Sequence, residues 1–126
     1  MPAELEHANI TVSDAAATAA WMSGIFDWHI RWQGPSLDGG VSVHVGTERS
    51  YIALYQPSRT TQEGDNSYTT RGGLNHLAVT VDDIAATEKA VSKAGFTAEK
   101  HADYEPGLRF YFHDHDGIEY EVVQYT

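Results

Sequence analysis

Two histidines occupy the same position in two copies of one sequence pattern. Segments 5–14 and 74–83 both read L-x-H-x-x-[IV]-T-V-x-D, so His76 follows His7 at a distance of 69 residues. A neutral imidazole can bind a transition metal or transfer a proton near neutral pH. A repeat that served packing alone would have little reason to keep both histidines. The pattern therefore indicates that the two rings share a chemical role.

The neighbouring residues predict the direction in which the two rings point. Each copy alternates β-branched or apolar residues with polar ones, which is typical of a strand with one buried face. Because successive side chains of a strand point to opposite faces, Ile10 and Val79 would pack beneath a helix, whereas His7 and His76 would face away from it. We expect the sheets to curve around a central cleft in which the histidines converge.

The later strands of the two copies align too, but their chemistry differs at two positions. The last strands pair Ala53 with Glu121, and the strands before them pair His44 with Tyr111. His44 and Tyr111 are candidate catalytic residues, because an imidazole or a phenol that contacts a substrate can act as a general acid or base.

The elements that would position these residues form two β-α-β-β-β modules, an α+β fold with the helices outside the sheets. One helix is predicted from Ala15 to Phe26 with Ser13 or Asp14 as its N-cap. The other is predicted over 84–94, with Asp82 or Asp83 as its N-cap.

Glycine and proline mark the ends of the shorter strands. These strands are predicted at 28–33, 41–45, 50–56, 97–103, 108–113 and 118–125. The first module would cover about 4–56 and the second 74–126, with a polar linker over 57–73. Together they would form a single domain over residues 1–126.

Composition excludes several functions. The chain has 126 residues and no cysteine, which rules out a disulfide, a thiolate nucleophile and a cysteine-ligated metal. Lys and Arg number 8 against 18 Asp and Glu, giving a formal charge of −10, so binding to nucleic acid or to an anionic membrane is not expected. With no leader-like or membrane-spanning apolar run, we expect a cytoplasmic protein.

The segment Asp114-His-Asp-Gly-Ile-Glu-Tyr-Glu121, together with the two L-x-H segments, resembles the vicinal oxygen chelate superfamily over nearly the whole chain. This superfamily includes glyoxalase I, methylmalonyl-CoA epimerase, extradiol dioxygenases, fosfomycin-resistance enzymes and bleomycin-binding proteins. Its usual motif is D-P-D-G-[YN]-x-[IV]-E, and His115 stands here where proline is usual.

The resemblance implies a set of metal ligands. In metal-using members the ligands come from the first and last strands of each module, which correspond here to His7, Ala53, His76 and Glu121. The implied site therefore binds one divalent ion, Fe, Mn, Ni or Zn, through His7, His76 and Glu121, and Ala53 leaves a fourth position open. Glu119, which shares a strand face with Glu121, is the alternative carboxylate.

The resemblance also implies an activity. We expect a metal-dependent enzyme that chelates vicinal oxygens of a small oxygenated substrate, with lyase, isomerase or ring-cleaving dioxygenase chemistry. The alternative is a metal-free binding protein of the bleomycin-resistance type, whose acidic groove would sequester a drug. A homodimer is expected, with sites formed either within one chain or by exchange between chains.

Overall fold

The computed structural model describes residues 1–104 and 106–125, which form two compact units, 1–62 and 63–126. The boundary between the units falls inside the segment predicted as a linker. Residue 105, and residue 126 at the end of the predicted second module, lie outside the described residues.

The first unit contains one helix and a four-stranded sheet. Its elements are β1 (His7–Thr11), α1 (Ala15–Phe26), β2 (His29–Pro35), a short 3₁₀ turn (Leu37–Gly39), β3 (Val41–Gly46) and β4 (Tyr51–Gln56). The sheet order is β1-β4-β3-β2, in which β1 runs parallel to β4 and the other pairs are antiparallel.

The second unit repeats this topology. Its elements are β5 (Leu77–Thr80), α2 (Ile84–Lys93), β6 (Glu99–Tyr104), β7 (Gly107–His113) and β8 (Glu119–Tyr125). The order β5-β8-β7-β6, again with the first strand parallel to the last, matches that of the first unit. The predicted α+β fold of two β-α-β-β-β modules is therefore confirmed.

Both helices begin at the aspartates that the sequence suggested. The Asp14 carboxylate accepts a hydrogen bond from the backbone N–H of Ala17 at 3.0 Å, and Asp83 accepts one from Ala86 at 3.1 Å. Each bond satisfies an amide of the first turn that has no partner within the helix.

A glutamine on the last strand of each unit also fixes a helix to its sheet. The Gln56 side-chain oxygen accepts the backbone N–H of Ala15 at 2.9 Å, and Gln124 accepts that of Ile84 at 2.8 Å. The repeat therefore keeps a helix anchor as well as the histidines.

Each unit buries apolar side chains of its own. In the first unit Met22 of α1 is buried, as are Val45 and Leu54 of the sheet. In the second, Phe112 and Tyr120 stack at 5.1 Å between their ring centroids. Because strand side chains alternate, packing one face of each sheet in this way leaves the opposite face to the polar residues.

The strand after α1 is longer than predicted. Residues 34–35 were expected to end it, but Pro35 pairs with Val41 at the end of β2. A proline is tolerated there because β2 is an edge strand. Among the described residues, neither helix combines the length and apolar character needed to cross a bilayer.

Candidate functional site

Two of the three predicted metal ligands meet in the second unit, His76 just before β5 and Glu121 within β8. Nε2 of His76 lies 3.0 Å from Oε1 of Glu121, whose side chain is only 9% exposed. Two ligand atoms that bind one ion at about 2.1 Å lie roughly 3 Å apart. The spacing of this pair therefore fits a shared divalent ion.

Arg109 holds the other oxygen of Glu121. Its Nη1 donates to Oε2 at 2.7 Å, and the Tyr104 ring lies 4.9 Å from the guanidinium carbon. The bond fixes the carboxylate plane and leaves Oε1 directed at His76. Arg109 was not predicted from the sequence, although its place two residues before Tyr111 on the same strand face could have indicated it.

Tyr111, a predicted catalytic residue, lies beside this pair. It is directly opposite Glu121 in the β7–β8 register, and its ring meets the His76 ring edge-on at 5.8 Å. Burial and the adjacent Glu121 carboxylate raise the pKa of Tyr111 above its ordinary value. The phenol therefore keeps its proton at neutral pH and can donate it.

Glu119, the alternative ligand, is engaged by other groups. Its side chain is 4% exposed; one oxygen accepts from Lys100 Nζ at 2.8 Å and the other from the Tyr68 hydroxyl. Burial alone would raise the pKa of Glu119, but these hydrogen bonds outweigh burial and hold it below the ordinary value. Glu119 is thus an ionised carboxylate that is already neutralised by an ammonium.

A second group of potential metal ligands contains Glu119. Ligand atoms of Glu99, His113 and Glu119 lie within 4.8 Å of one another. His113 is the last residue of β7, with Nδ1 2.9 Å from Glu99 and Nε2 3.7 Å from Glu119. Lys100 contacts the same Glu119 oxygen that faces His113, so its ammonium competes with any ion there.

The first sheet presents a row of four neighbouring rings, His7, Tyr51, His44 and Trp32. The His7 ring stacks on Tyr51 at 4.8 Å, Tyr51 stacks on His44 at 4.7 Å, and His44 contacts Trp32 at 5.1 Å. Burial, followed by the charges of His7 and Arg31, lowers the pKa of His44. His44 is therefore a neutral imidazole at neutral pH, the form that a general base requires.

The strand registers match the alignment made from the sequence. Ala53 pairs with Asn9 and His44, while Glu121 pairs with Ala78 and Tyr111. Ala53, 3% exposed, is therefore the first-unit counterpart of Glu121 and offers no ligand atom.

Two basic residues were missed because their positions depend on irregularities in the strands. The β2–β3 register shifts between Ile30 and Trp32, at Arg31, whose guanidinium lies 4.3 Å from the Tyr51 ring centroid. A matching shift in β6 contains Lys100, which has a φ of 54°. A β-bulge changes the direction in which a side chain points. The repeat offset of 69 residues, which separates Arg31 from Lys100, was the one sequence signal that the two cations occupy matching positions.

Comparison with known proteins identifies the family. Residues 4–122 match the family model of the Glyoxalase/Bleomycin resistance protein/Dioxygenase superfamily, so the chain belongs to this superfamily. No curated protein matches the sequence significantly.

Solved structures share the fold at low sequence identity. A glyoxylase/bleomycin resistance protein/dioxygenase domain from Frankia sp. EAN1pec is 24% identical with a TM-score of 0.81, and the match covers 100% of each chain. A mutant of the fosfomycin resistance protein FosX from Listeria monocytogenes, complexed with Mn(II) and 1S,2S-dihydroxypropylphosphonic acid, is 16% identical (TM-score 0.73; 98% of this chain and 93% of that one). TnmS3, an antibiotic-binding protein from Streptomyces sp. CB03234, is 13% identical (TM-score 0.71; 99% and 98%).

Proposed function

We propose that this protein is a metal-dependent enzyme in which His7, His76 and Glu121 bind one divalent transition-metal ion. The observation that carries the proposal is the 3.0 Å approach of His76 Nε2 to Glu121 Oε1. Within the superfamily, the FosX structure contains Mn(II). His7 completes the set from the same chain or from a second copy, and Ala53 leaves room for substrate.

The remaining polar residues have distinct roles in this proposal. A divalent ion, when bound, polarises a substrate oxygen and stabilises negative charge that develops on it. Tyr111 keeps its proton and donates a hydrogen bond or a proton to the substrate. His44, held neutral, accepts a proton, and Arg109 orients the Glu121 carboxylate.

The proposed substrate is a small molecule with neighbouring oxygen atoms, because an ion with open positions can bind two of them at once. Because the chain carries a net negative charge, it repels nucleic acid and anionic membranes, and neither is proposed as a partner. We place the activity in the cytoplasm, with lyase, isomerase or dioxygenase chemistry as the candidate reactions.

Calorimetric titration of metal-stripped protein with Mn(II), Fe(II), Ni(II) and Zn(II) tests the proposal. One ion per chain is expected to bind well below millimolar concentration, and His76→Ala should abolish binding. His101→Ala is the matched control, because that histidine pairs with Glu88 rather than with a proposed ligand. His113→Ala should also leave binding intact; loss there instead would assign the ion to the Glu99, His113 and Glu119 group.

A metal-free antibiotic-binding role is the second candidate. It would use the fold that this chain shares with TnmS3 and the aromatic row from Trp32 to His7. The same titration separates the two: no ion binding tighter than millimolar, or binding unchanged in His76→Ala, would reject the metalloenzyme in favour of the binder.

A further inference from the structure

Each of the two proposed ligand histidines is bonded to the side chain of the residue just before it. Nδ1 of His7 lies 2.9 Å from Oε1 of Glu6, and Nδ1 of His76 lies 2.6 Å from Oδ1 of Asn75. The same local arrangement thus occurs at the same place in both units, although the two acceptors differ in residue type.

The contacts with Glu6 and Asn75 place a proton on Nδ1 of each histidine ring. A carboxylate oxygen and an amide oxygen both accept hydrogen bonds, so Nδ1 must be the donor in each pair. In a neutral ring with its proton on Nδ1, the lone pair is on Nε2. On His76, Nε2 faces Oε1 of Glu121 at 3.0 Å, where a bound cation would replace the proton shared by the two atoms, so Nε2 is the atom directed at the proposed ion.

The difference between the acceptors complements the difference between the two last strands. His76 has the Glu121 carboxylate on its Nε2 side and a neutral amide on its Nδ1 side. His7 belongs to the unit with Ala53, and its carboxylate partner, Glu6, lies on the Nδ1 side. A carboxylate at that position makes the imidazole a more basic ligand, which compensates for the missing ligand at Ala53.

We propose that Glu6 and Asn75 are positioning residues that fix Nε2 of His7 and of His76 as the metal-binding atoms. Glu6 additionally strengthens His7 as a ligand through its charge. This inference rests on the proposed function, since it concerns the same metal centre, but it adds two residues that the ligand pattern does not contain.

Mn(II) titration of metal-stripped variants tests the inference. Glu6→Ala and Asn75→Ala should each weaken Mn(II) binding by about 10- to 100-fold, because loss of the acceptor frees the ring to rotate and to change tautomer. Asn75→Asp, which keeps an acceptor, should restore the affinity. Glu4→Ala is the matched control: it removes an exposed glutamate that pairs with Arg49, and the affinity should not change.

A second measurement does not depend on the metal. Ring ¹⁵N shifts of metal-free protein, at a pH where His7 is neutral, should show its proton on Nδ1, and Glu6→Ala should move the ring towards the Nε2–H form. His7 protonated on Nε2 in the wild type would overturn the inference. The inference would also be overturned if Glu6→Ala and Asn75→Ala bound Mn(II) with affinities within about twofold of that of Glu4→Ala. Failure of the wild type to bind Mn(II) would instead reject the proposed function, while the ring shifts would still decide the orientation of His7.

Discussion

Asp114, the first residue of the segment 114–121 that resembles the superfamily motif, stabilises the local backbone. It is buried, and its carboxylate accepts hydrogen bonds from the Tyr120 hydroxyl at 2.9 Å and from the backbone N–H groups of Asp116 and Ile118. Gly117, with a φ of 80°, completes the turn that these bonds close. The segment that suggested a metal ligand at Glu121 therefore also builds the turn that leads into β8.

Tyr120→Phe should destabilise the protein by about 1.5–3 kcal/mol at pH 7, the cost of removing a hydrogen bond to a buried charge. Burial raises the pKa of Asp114 above 3.8 in the folded state, despite its hydrogen bonds. Because the folded protein holds the Asp114 proton more tightly than the unfolded chain, the free energy of unfolding falls as the pH rises from 3.8 through the folded pKa. Loss of the Tyr120 hydroxyl makes ionisation of the folded carboxyl costlier still.

The loss caused by Tyr120→Phe should therefore be larger at pH 7 than at about pH 3.5, as measured by urea unfolding. Tyr125→Phe, at an exposed residue of the same strand, is the control and should have little effect. A loss that is equal at both pH values would show that the hydroxyl does not stabilise the carboxylate.

Ala53 occupies the place in the first unit at which the second unit has the carboxylate of Glu121. Ala53→Glu would bury a carboxylate beside His44, which should lower the melting temperature of metal-free protein. If the position belongs to the metal centre, saturating Mn(II) should raise the melting temperature more for this variant than for the wild type. An equal or smaller rise, measured calorimetrically, would place Ala53 outside the centre.

At the scale of elements, the β6 bulge determines which cation pairs with Glu119. It places Lys100, in the left-handed backbone region, against Glu119 on the strand that also carries Glu121. Strained backbone of this kind costs about 1–3 kcal/mol and is concentrated at functional sites. The bulge therefore keeps Glu119 paired while Glu121 faces His76.

Lys100→Met should release Glu119 and allow a second ion to bind through Glu99, His113 and Glu119. The expected result is a Mn(II) stoichiometry that rises from one to two per chain in calorimetric titration. Lys93→Met, at the last residue of α2, removes the same charge away from this group and should leave the stoichiometry at one. An unchanged stoichiometry in Lys100→Met would show that the group does not bind an ion without Lys100.

The elements were predictable where local chemistry specifies them. Asp14 marks the start of α1, and that helix ends at Phe26 as the sequence suggested, because cap residues and alanine-rich segments act within a few positions. Arg109 and Lys100 were not predicted, because their partners are fixed by strand register and by a bulge, which arise only after the sheet forms. His76 was singled out by the repeat, whereas Glu121 entered the predicted ligand set through the resemblance to the superfamily, and the structure places the two side chains 3.0 Å apart.

At the scale of the whole molecule, the edge of the first sheet is exposed. On and beside β2, the large side chains Ile30, Trp32 and Val41 are each more than two-fifths exposed. An exposed apolar edge strand favours association. We therefore expect sedimentation to show a homodimer at tens of micromolar protein. Ile30→Lys should dissociate the dimer. The control Leu5→Lys, which changes an exposed residue outside the sheet, should leave the dimer intact. A wild-type monomer would contradict this prediction.

The parallel pairing of β1 with β4 has a consequence for how the protein is made. Residues His7–Thr11 are translated before the rest of their sheet, yet their strand partner is the last strand of the same unit, Tyr51–Gln56. All strand partners of the first sheet lie within residues 1–62, and domains fold in order of synthesis. The pairing of His7 with Tyr51 therefore requires no residue of the second unit, neither His76 nor Glu121. The strand that carries His7 is accordingly specified by its own unit, so the proposed ion is not needed as a template for that strand pairing.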